Sequence, residues 1–209
     1  MNGWERFNTL AYWLMRAAYI NILWILFTIL GLGVFGFFPA TVAMFSISRQ
    51  WLVKKDTSLT IFKRFVQVYK QEFFPANGHG LIFFALGYIL YVDVTFLIVS
   101  EGWVTNLWPL AVILGMIYLS TLVFYFPVKA TFEIGFFGYL RQALFIGLAS
   151  PVQLFTVILT AAAMVALIYV LPGLLLMLAG SVPAFLLTSM TAHTLTKARN
   201  RNDHQASPG

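Results

Sequence analysis

The sequence predicts an all-α protein, a polytopic bundle of about six transmembrane helices with amphipathic elbows on the cytoplasmic side. Of its 209 residues, 60% are hydrophobic and only 10% are charged, whereas a soluble globular domain has about 25% charged residues. Uncharged apolar stretches long enough to cross a bilayer recur along the chain. No segment shows the strict apolar and polar alternation of a membrane β-barrel. These observations together exclude a soluble globular fold.

The first two predicted spans form a hairpin. The stretch from Ala17 to Ser48 is uncharged, and as one helix it would be roughly 48 Å long, well beyond the ~30 Å hydrocarbon core. Three glycines and a proline supply a break: Gly31, Gly33, Gly36 and Pro39. We therefore predict two spans, Tyr12–Leu30 and Val34–Leu52, joined by a tight glycine turn.

The turn also matches the dinucleotide-binding pattern G-x-G-x-x-G from Gly31 to Gly36, and Asp56 follows about 20 residues later. A nucleotide site needs a strand before the glycines and a soluble helix after them. Span-length apolar helices are predicted on both sides, and Asp56 follows two lysines in a basic loop. We interpret the glycines as a membrane turn.

The rest of the chain continues this design. An amphipathic helix over Leu59–Phe74, ended by Pro75, is predicted to form a first elbow, and the mixed stretch from Pro127 to Pro151 forms a second elbow or a helix extending past the membrane. Four further spans are predicted: Leu81–Ser100, Leu107–Phe126, Val152–Val170 and Leu174 to about Leu195. Residues 1–196 then form one transmembrane domain, and residues 197–209 a disordered basic tail.

The first elbow is a candidate cytoplasmic docking face. Its apolar and basic residues fall on opposite sides of the helix, which suits a helix lying on the headgroups. A helix that binds a membrane-protein partner is the alternative. The residues of this candidate face are Phe62, Lys63, Arg64, Phe65, Tyr69 and Lys70.

The distribution of positive charge predicts the orientation. All 13 Lys and Arg fall on the side of the six spans that carries both termini and both elbows, or at the membrane edge of that side. By the positive-inside rule this side is cytoplasmic. The net charge of +6 is thereby explained by topology, and we expect the lipid bilayer rather than nucleic acid as its partner.

Asp93 is the one acid placed well inside a predicted span. An ionised group there costs at least ~2.5 kcal/mol, so such acids usually face protein and often mark an ion or proton path. Depth along the helices brings Thr41 and Ser181 within reach, with Trp24 and Tyr118 as further neighbours. We predict a candidate intramembrane polar site at Asp93, Thr41 and Ser181, which is either functional or a protonated or hydrogen-bonded structural feature.

The sequence contains no recognisable catalytic or cofactor motif. Cysteine is absent, which excludes thiol catalysis and thiolate metal sites. The three histidines lack the paired spacings of a metal site, and there is no ATP-binding loop. We therefore expect a protein that is not an enzyme and binds no cofactor.

Two segments resemble the YesL-like integral membrane proteins of bacteria. The first runs from Asn21 through the glycine turn and Phe38-Pro39-Ala40-Thr41 to the basic elbow, and the second covers residues 124–144. Lys129 departs from the resemblance, since an apolar residue is expected there. The resemblance implies a multi-pass protein of the bacterial inner membrane, associated with carbohydrate uptake and ABC-type sugar importers, with no catalytic residue to assign.

The same resemblance leaves two roles open. Importer permeases present an E-A-A-x-x-x-G loop to their ATPase, and neither elbow contains it. An accessory or regulatory component, working with a sugar importer subunit, is therefore the preferred interpretation. The alternative is a small secondary transporter or channel with Asp93 in its path.

Overall fold

A computed structural model describes residues 3–53, 60–149, 151–170 and 180–191, and within them every regular element is a helix. The first three helices are α1 (Gly3–Leu30), α2 (Val34–Leu52) and α3 (Ile61–Val99). A 3₁₀ segment over Gly102–Leu107 leads into α4 (Trp108–Thr131), followed by α5 (Phe136–Ala149) and α6 (Pro151–Val170). A short apolar helix over Ser181–Thr191 is labelled α7. The all-helical class is confirmed for this part of the chain.

The predicted hairpin is confirmed, with α2 at the expected bounds. The chain reverses over residues 31–33, where Leu32 and Gly33 adopt positive φ angles of 60° and 76°. A side chain on Gly31 would collide with the backbone of Gly36, and one on Gly36 would collide with that of Thr28. Only glycine allows so close a crossing. A helix, not a strand, precedes the glycines, so they form a turn between two helices as predicted, and the nucleotide interpretation lacks the strand it requires.

Helix α2 lies at the centre of the bundle and packs against α1, α3 and α4. It is buried along almost its whole length, including Pro39 and Ala43. Phenylalanines fill the space between α2 and its neighbours; Phe38, for example, stacks on Phe83 of α3, and Phe45 stacks on Phe126 of α4. Since α2 packs against three other helices and is itself buried, the core is organised around it.

The first elbow and the third predicted span are one helix, which corrects our prediction that Pro75 ends the elbow. Helix α3 has 39 residues, about 58 Å in length. Pro75 is exposed, so its ring meets no packed neighbour, while Ala76 and His79 lie on the adjoining face towards the bundle and are buried. Burial of that face holds the helix together across the missing N–H of proline.

The stretch after Pro127 also differs from a helix on the membrane surface. Helix α4 continues through Pro127 to Thr131, and α5 then packs against it. A side chain on Gly147 would collide with Ser120, so the end of α5 lies beside the middle of α4. Helix α5 therefore folds back along α4, and an apolar helix of 14 residues is short enough to do so without crossing a membrane.

Three helical segments of the described residues are long and apolar enough to cross a membrane: Gly3–Leu30, Ile61–Val99 and Gly102–Thr131. Six spans remain a prediction. The predicted turn at residues 171–173, both ends of the predicted sixth span (174–179 and 192–195) and the tail from residue 197 lie outside the described residues.

Candidate functional site

A polar cavity of about 210 Å³ lies where the C-terminal ends of α2 and α4 meet the N-terminal parts of α3 and α5. Three cations and two carboxylates line it, namely Arg49, Arg64, Lys129, Glu72 and Glu133. Neutral polar groups complete the lining: Ser46, Gln50, Gln71, Thr131 and Tyr139. So dense a set of polar groups is unusual in a chain with 10% charged residues.

An ion pair forms one wall of this cavity. Nζ of Lys129 lies 3.0 Å from Oε2 of Glu72, and the Lys129 side chain is only 6% exposed. The ammonium also lies over the ring of Tyr139, 3.9 Å from its centroid. The lysine that departs from the family resemblance thus joins α4 to both α3 and α5, which an apolar residue would not do.

The two arginines have no carboxylate partner among the described residues. Arg64 donates from Nη1 to Oε1 of Gln67 at 3.0 Å. With the Gln50 amide oriented to accept, its oxygen lies 3.1 Å from Nε and 3.3 Å from Nη2 of Arg64. Arg49 is half-buried in the last turn of α2. With three cations and two carboxylates, the lining carries a net charge of +1, and neither arginine forms an ion pair with these residues.

An aromatic cluster around His79 lies next to the polar cavity. His79 is fully buried, with Nδ1 2.7 Å from the carbonyl oxygen of Pro75 and Nε2 2.8 Å from that of Phe136. Its ring stacks on Phe136 with centroids 3.9 Å apart and also contacts Tyr125 and Tyr139. The cluster fixes the start of α5 against α3.

On the other side of this cluster, α3, α4 and α5 enclose an apolar groove of about 440 Å³. Phe83 lines the groove and contacts Tyr125, whereas Tyr139 lines the polar cavity. No lining residue is shared between the two, so the aromatic cluster separates them. Asp93 and Arg141 are the charged residues of the groove, and they form no ion pair with each other.

The structure does not bring the three predicted intramembrane residues together. Asp93 is exposed and has no hydrogen bond to another described residue. Thr41 lies in α2, accepts a hydrogen bond of 2.9 Å from Nε1 of Trp24 and donates to the carbonyl oxygen of Phe37. Ser181 is buried at the start of α7. Neither Thr41 nor Ser181 lines the groove that contains Asp93.

The predicted docking face is divided between the core and the surface, which corrects the interpretation of its apolar side as lying on headgroups. Phe65 is fully buried, with its ring 5.2 Å from that of Phe27. Tyr69 donates to the carbonyl oxygen of Phe27 at 3.2 Å, and Arg64 lines the polar cavity. Of the six residues, the exposed ones are Phe62, Lys63 and Lys70.

Sequence reasoning missed the polar cavity. Its lining comes from four helices, and no spacing along the chain relates Arg49 to Lys129. Two signals were present, the unexpected Lys129 and an acid, Glu72, on a helix otherwise rich in basic residues. Pairing them required the knowledge that α3 and α4 lie side by side.

The comparisons with known proteins assign the chain to a family. The helices define a helical membrane protein. A family model described as "Protein of unknown function, DUF624" matches residues 17–94, which contain the second half of α1, all of α2 and most of α3. The chain belongs to this family of YesL-like proteins.

Three relatives from Bacillus subtilis (strain 168) carry names without an activity. The chain is 35% identical to "Uncharacterized protein YteU" over 78% of this chain and 72% of the relative. It is 33% identical to "Uncharacterized protein YesV" over 77% of each, and 29% identical to "Uncharacterized protein YesL" over 98% of this chain and 95% of the relative. No solved structure matches the chain.

Proposed function

We propose that the protein is an accessory or regulatory subunit of a carbohydrate uptake system of the ABC type, located in the bacterial inner membrane with both termini in the cytoplasm. It works by contact with another membrane protein, such as a sugar importer subunit, and catalyses nothing itself. The resemblance to YesL-like proteins supports the link to uptake, and the distribution of Lys and Arg supports the orientation.

The observation that carries this proposal is the exposure of Asp93. The surface around it is apolar and includes Leu86 and Ile89. An acid facing lipid there would have no hydrogen-bond partner, at a cost of at least ~2.5 kcal/mol. A transmembrane helix of a partner, supplying a polar side chain and filling the groove, removes this cost.

Site-specific crosslinking in native membranes tests the contact. A photoreactive side chain at Leu86 or Leu114, both in the groove, is expected to crosslink to an importer subunit identified by mass spectrometry. Tyr88 and Val112 are matched controls on the same helices, since they are exposed but lie outside the groove. Equal crosslinking at all four positions, or none at the groove positions, would contradict the proposal.

Asp93→Asn separates this role from that of a secondary transporter or channel. Since Asn keeps hydrogen-bonding capacity, we expect normal folding and a retained partner contact. The barrier of buried rings between the groove and the polar cavity supports the accessory role over a transport path. If the purified protein alone moved a solute into liposomes, and Asp93→Asn abolished that flux, the transporter interpretation would replace ours.

A further inference from the structure

We propose that the polar cavity binds the phosphate group of a phosphate ester between Arg49 and Arg64. This site goes beyond the proposed function, because it concerns the isolated protein and needs no partner subunit. The ligand is either a soluble organic phosphate or the headgroup of an anionic phospholipid, since both present the same oxyanion.

The charges of the cavity favour an anion. Lys129 is already paired with Glu72 at 3.0 Å, which leaves two guanidinium groups and the exposed carboxylate of Glu133 at the cavity. Arg64 is held by the neutral amides of Gln50 and Gln67, which orient the guanidinium without cancelling its charge. A fixed, uncompensated guanidinium is the group that proteins use to bind phosphate.

The remaining lining and the size of the cavity fit a phosphate group. Ser46, Gln71 and Thr131 supply neutral hydroxyl and amide groups that donate to oxyanions. The cavity volume of about 210 Å³ is below the ~300–1,000 Å³ typical of pockets for larger organic ligands, so the cavity takes the charged end of a ligand rather than a whole large molecule.

Binding to the full-length protein tests the site, with two probes that distinguish the sources. Glycerol 3-phosphate, titrated against protein in a neutral detergent with glycerol as the uncharged comparison, represents a soluble ester. Nanodiscs of phosphatidylcholine with or without phosphatidylglycerol represent the lipid. We expect at least one of the two to raise the thermal unfolding midpoint.

Three variants connect that stabilisation to the cavity. Arg49→Gln and Arg64→Gln are expected to weaken binding at least about tenfold, because each removes a charge-assisted hydrogen-bond donor. Lys63→Gln removes the same charge from an exposed position on α3 outside the cavity, and is expected to bind as the unchanged protein does. If the arginine variants lose the stabilisation by glycerol 3-phosphate, the ligand is a soluble ester. If they lose only the stabilisation by phosphatidylglycerol, the ligand is a lipid headgroup.

Two results would overturn the site: stabilisation by neither probe, or equal affinity in both arginine variants and the unchanged protein. Should an arginine variant fail to fold, Ser46→Leu fills the cavity and leaves every charge in place. It is expected to lose binding, and undiminished binding in that variant would also refute the proposal. Failure here leaves the proposed importer contact intact, because crosslinking in the groove is measured separately.

Discussion

At the scale of single residues, an asparagine in α3 compensates for a proline in α2. Its side chain donates a hydrogen bond to a backbone carbonyl that the proline leaves without a donor. Pro39 has no N–H, so the carbonyl oxygen of Phe35, four residues earlier, lacks its donor within α2. Asn77 of α3 donates to this oxygen from Nδ2 at 2.9 Å. It donates to Phe73 of its own helix as well, at 2.7 Å. The proline in α2 and the asparagine in α3 therefore form one structural unit.

Replacing Asn77 tests this unit. Asn77→Leu removes the donor to the carbonyl of Phe35, and since this hydrogen bond is exposed we expect the free energy of unfolding to fall by about 0.5–1.5 kcal/mol. In a Pro39→Ala background the new N–H of residue 39 bonds the same carbonyl, so the cost of Asn77→Leu should be smaller by about 0.5–1.5 kcal/mol. Chemical unfolding of the four proteins in detergent measures the coupling, and strictly additive costs would contradict the assignment.

The ion pair in the polar cavity makes a second residue-level prediction. Lys129→Met leaves the carboxylate of Glu72 without its ion-pair partner beside the rings of the aromatic cluster. Removing one partner of a buried ion pair lowers the free energy of unfolding by about 3–5 kcal/mol. Because the Glu72 side chain is 24% exposed, we expect a smaller decrease of about 2–3 kcal/mol.

Adding Glu72→Gln to Lys129→Met removes the unpaired negative charge. It should therefore restore part of the free energy of unfolding that Lys129→Met removes. Lys63→Met is the matched control on the surface of α3, with an expected effect within about 0.5 kcal/mol. Thermal and chemical unfolding compare the variants. Equal destabilisation by Lys129→Met and Lys63→Met would show that the pair contributes nothing.

At the scale of elements, the continuity of α3 is the main result that the sequence did not reveal. Spin labels at Lys63 and Leu81 lie on opposite sides of Pro75, 18 residues apart and on the same helical face. Both positions are exposed. A continuous helix separates the two backbone positions by about 27 Å, and pulsed electron resonance should give a single distance distribution near that value.

A broad distribution, or one centred well below that distance, would indicate a break at Pro75 and restore the separate elbow. The measurement needs a reference pair that is also 18 residues apart on one helix. Leu110 and Val128 of α4 have this separation, but Val128 is buried and unsuitable for a label. Leu81 and Val99 serve better, since both are exposed, both follow the proline and they are again 18 residues apart.

The sequence predicted those elements whose signals are local. The hairpin depends on Gly31, Gly36 and the length of the apolar stretch, and its structure follows the prediction at both helices. Pro75 was misjudged because burial of Ala76 and His79 against other helices outweighs a local helix-breaking signal. Asp93 could be recognised as unusual from its apolar surroundings. The polar cavity could not, since Arg49, Arg64 and Lys129 meet only when α2, α3 and α4 are packed.

At the scale of the whole molecule, α3, α4 and α5 line both the polar cavity and the apolar groove, with α2 completing the polar cavity, but the two differ in chemistry. The polar cavity is at the end that collects charged residues, and the apolar groove begins beyond the aromatic cluster. Such a division fits a protein with one end in water and the remainder in lipid. It also makes the orientation in the membrane decisive, since orientation determines whether the phosphate site faces the cytoplasm.

The orientation that we propose rests on the distribution of Lys and Arg, and the absence of cysteine makes it directly measurable. Single cysteines at Val104, in the 3₁₀ segment before α4, and at Gly173 are expected to react with a membrane-impermeant thiol reagent added to intact cells. A cysteine at Ser58, between α2 and α3, should react only after the membrane is opened. The unchanged protein is the blank, and each variant must show normal abundance. The reverse pattern would invert the molecule and place the polar cavity outside, whereas labelling of Val104 without Gly173 would overturn the count of six spans but keep the orientation of the first four.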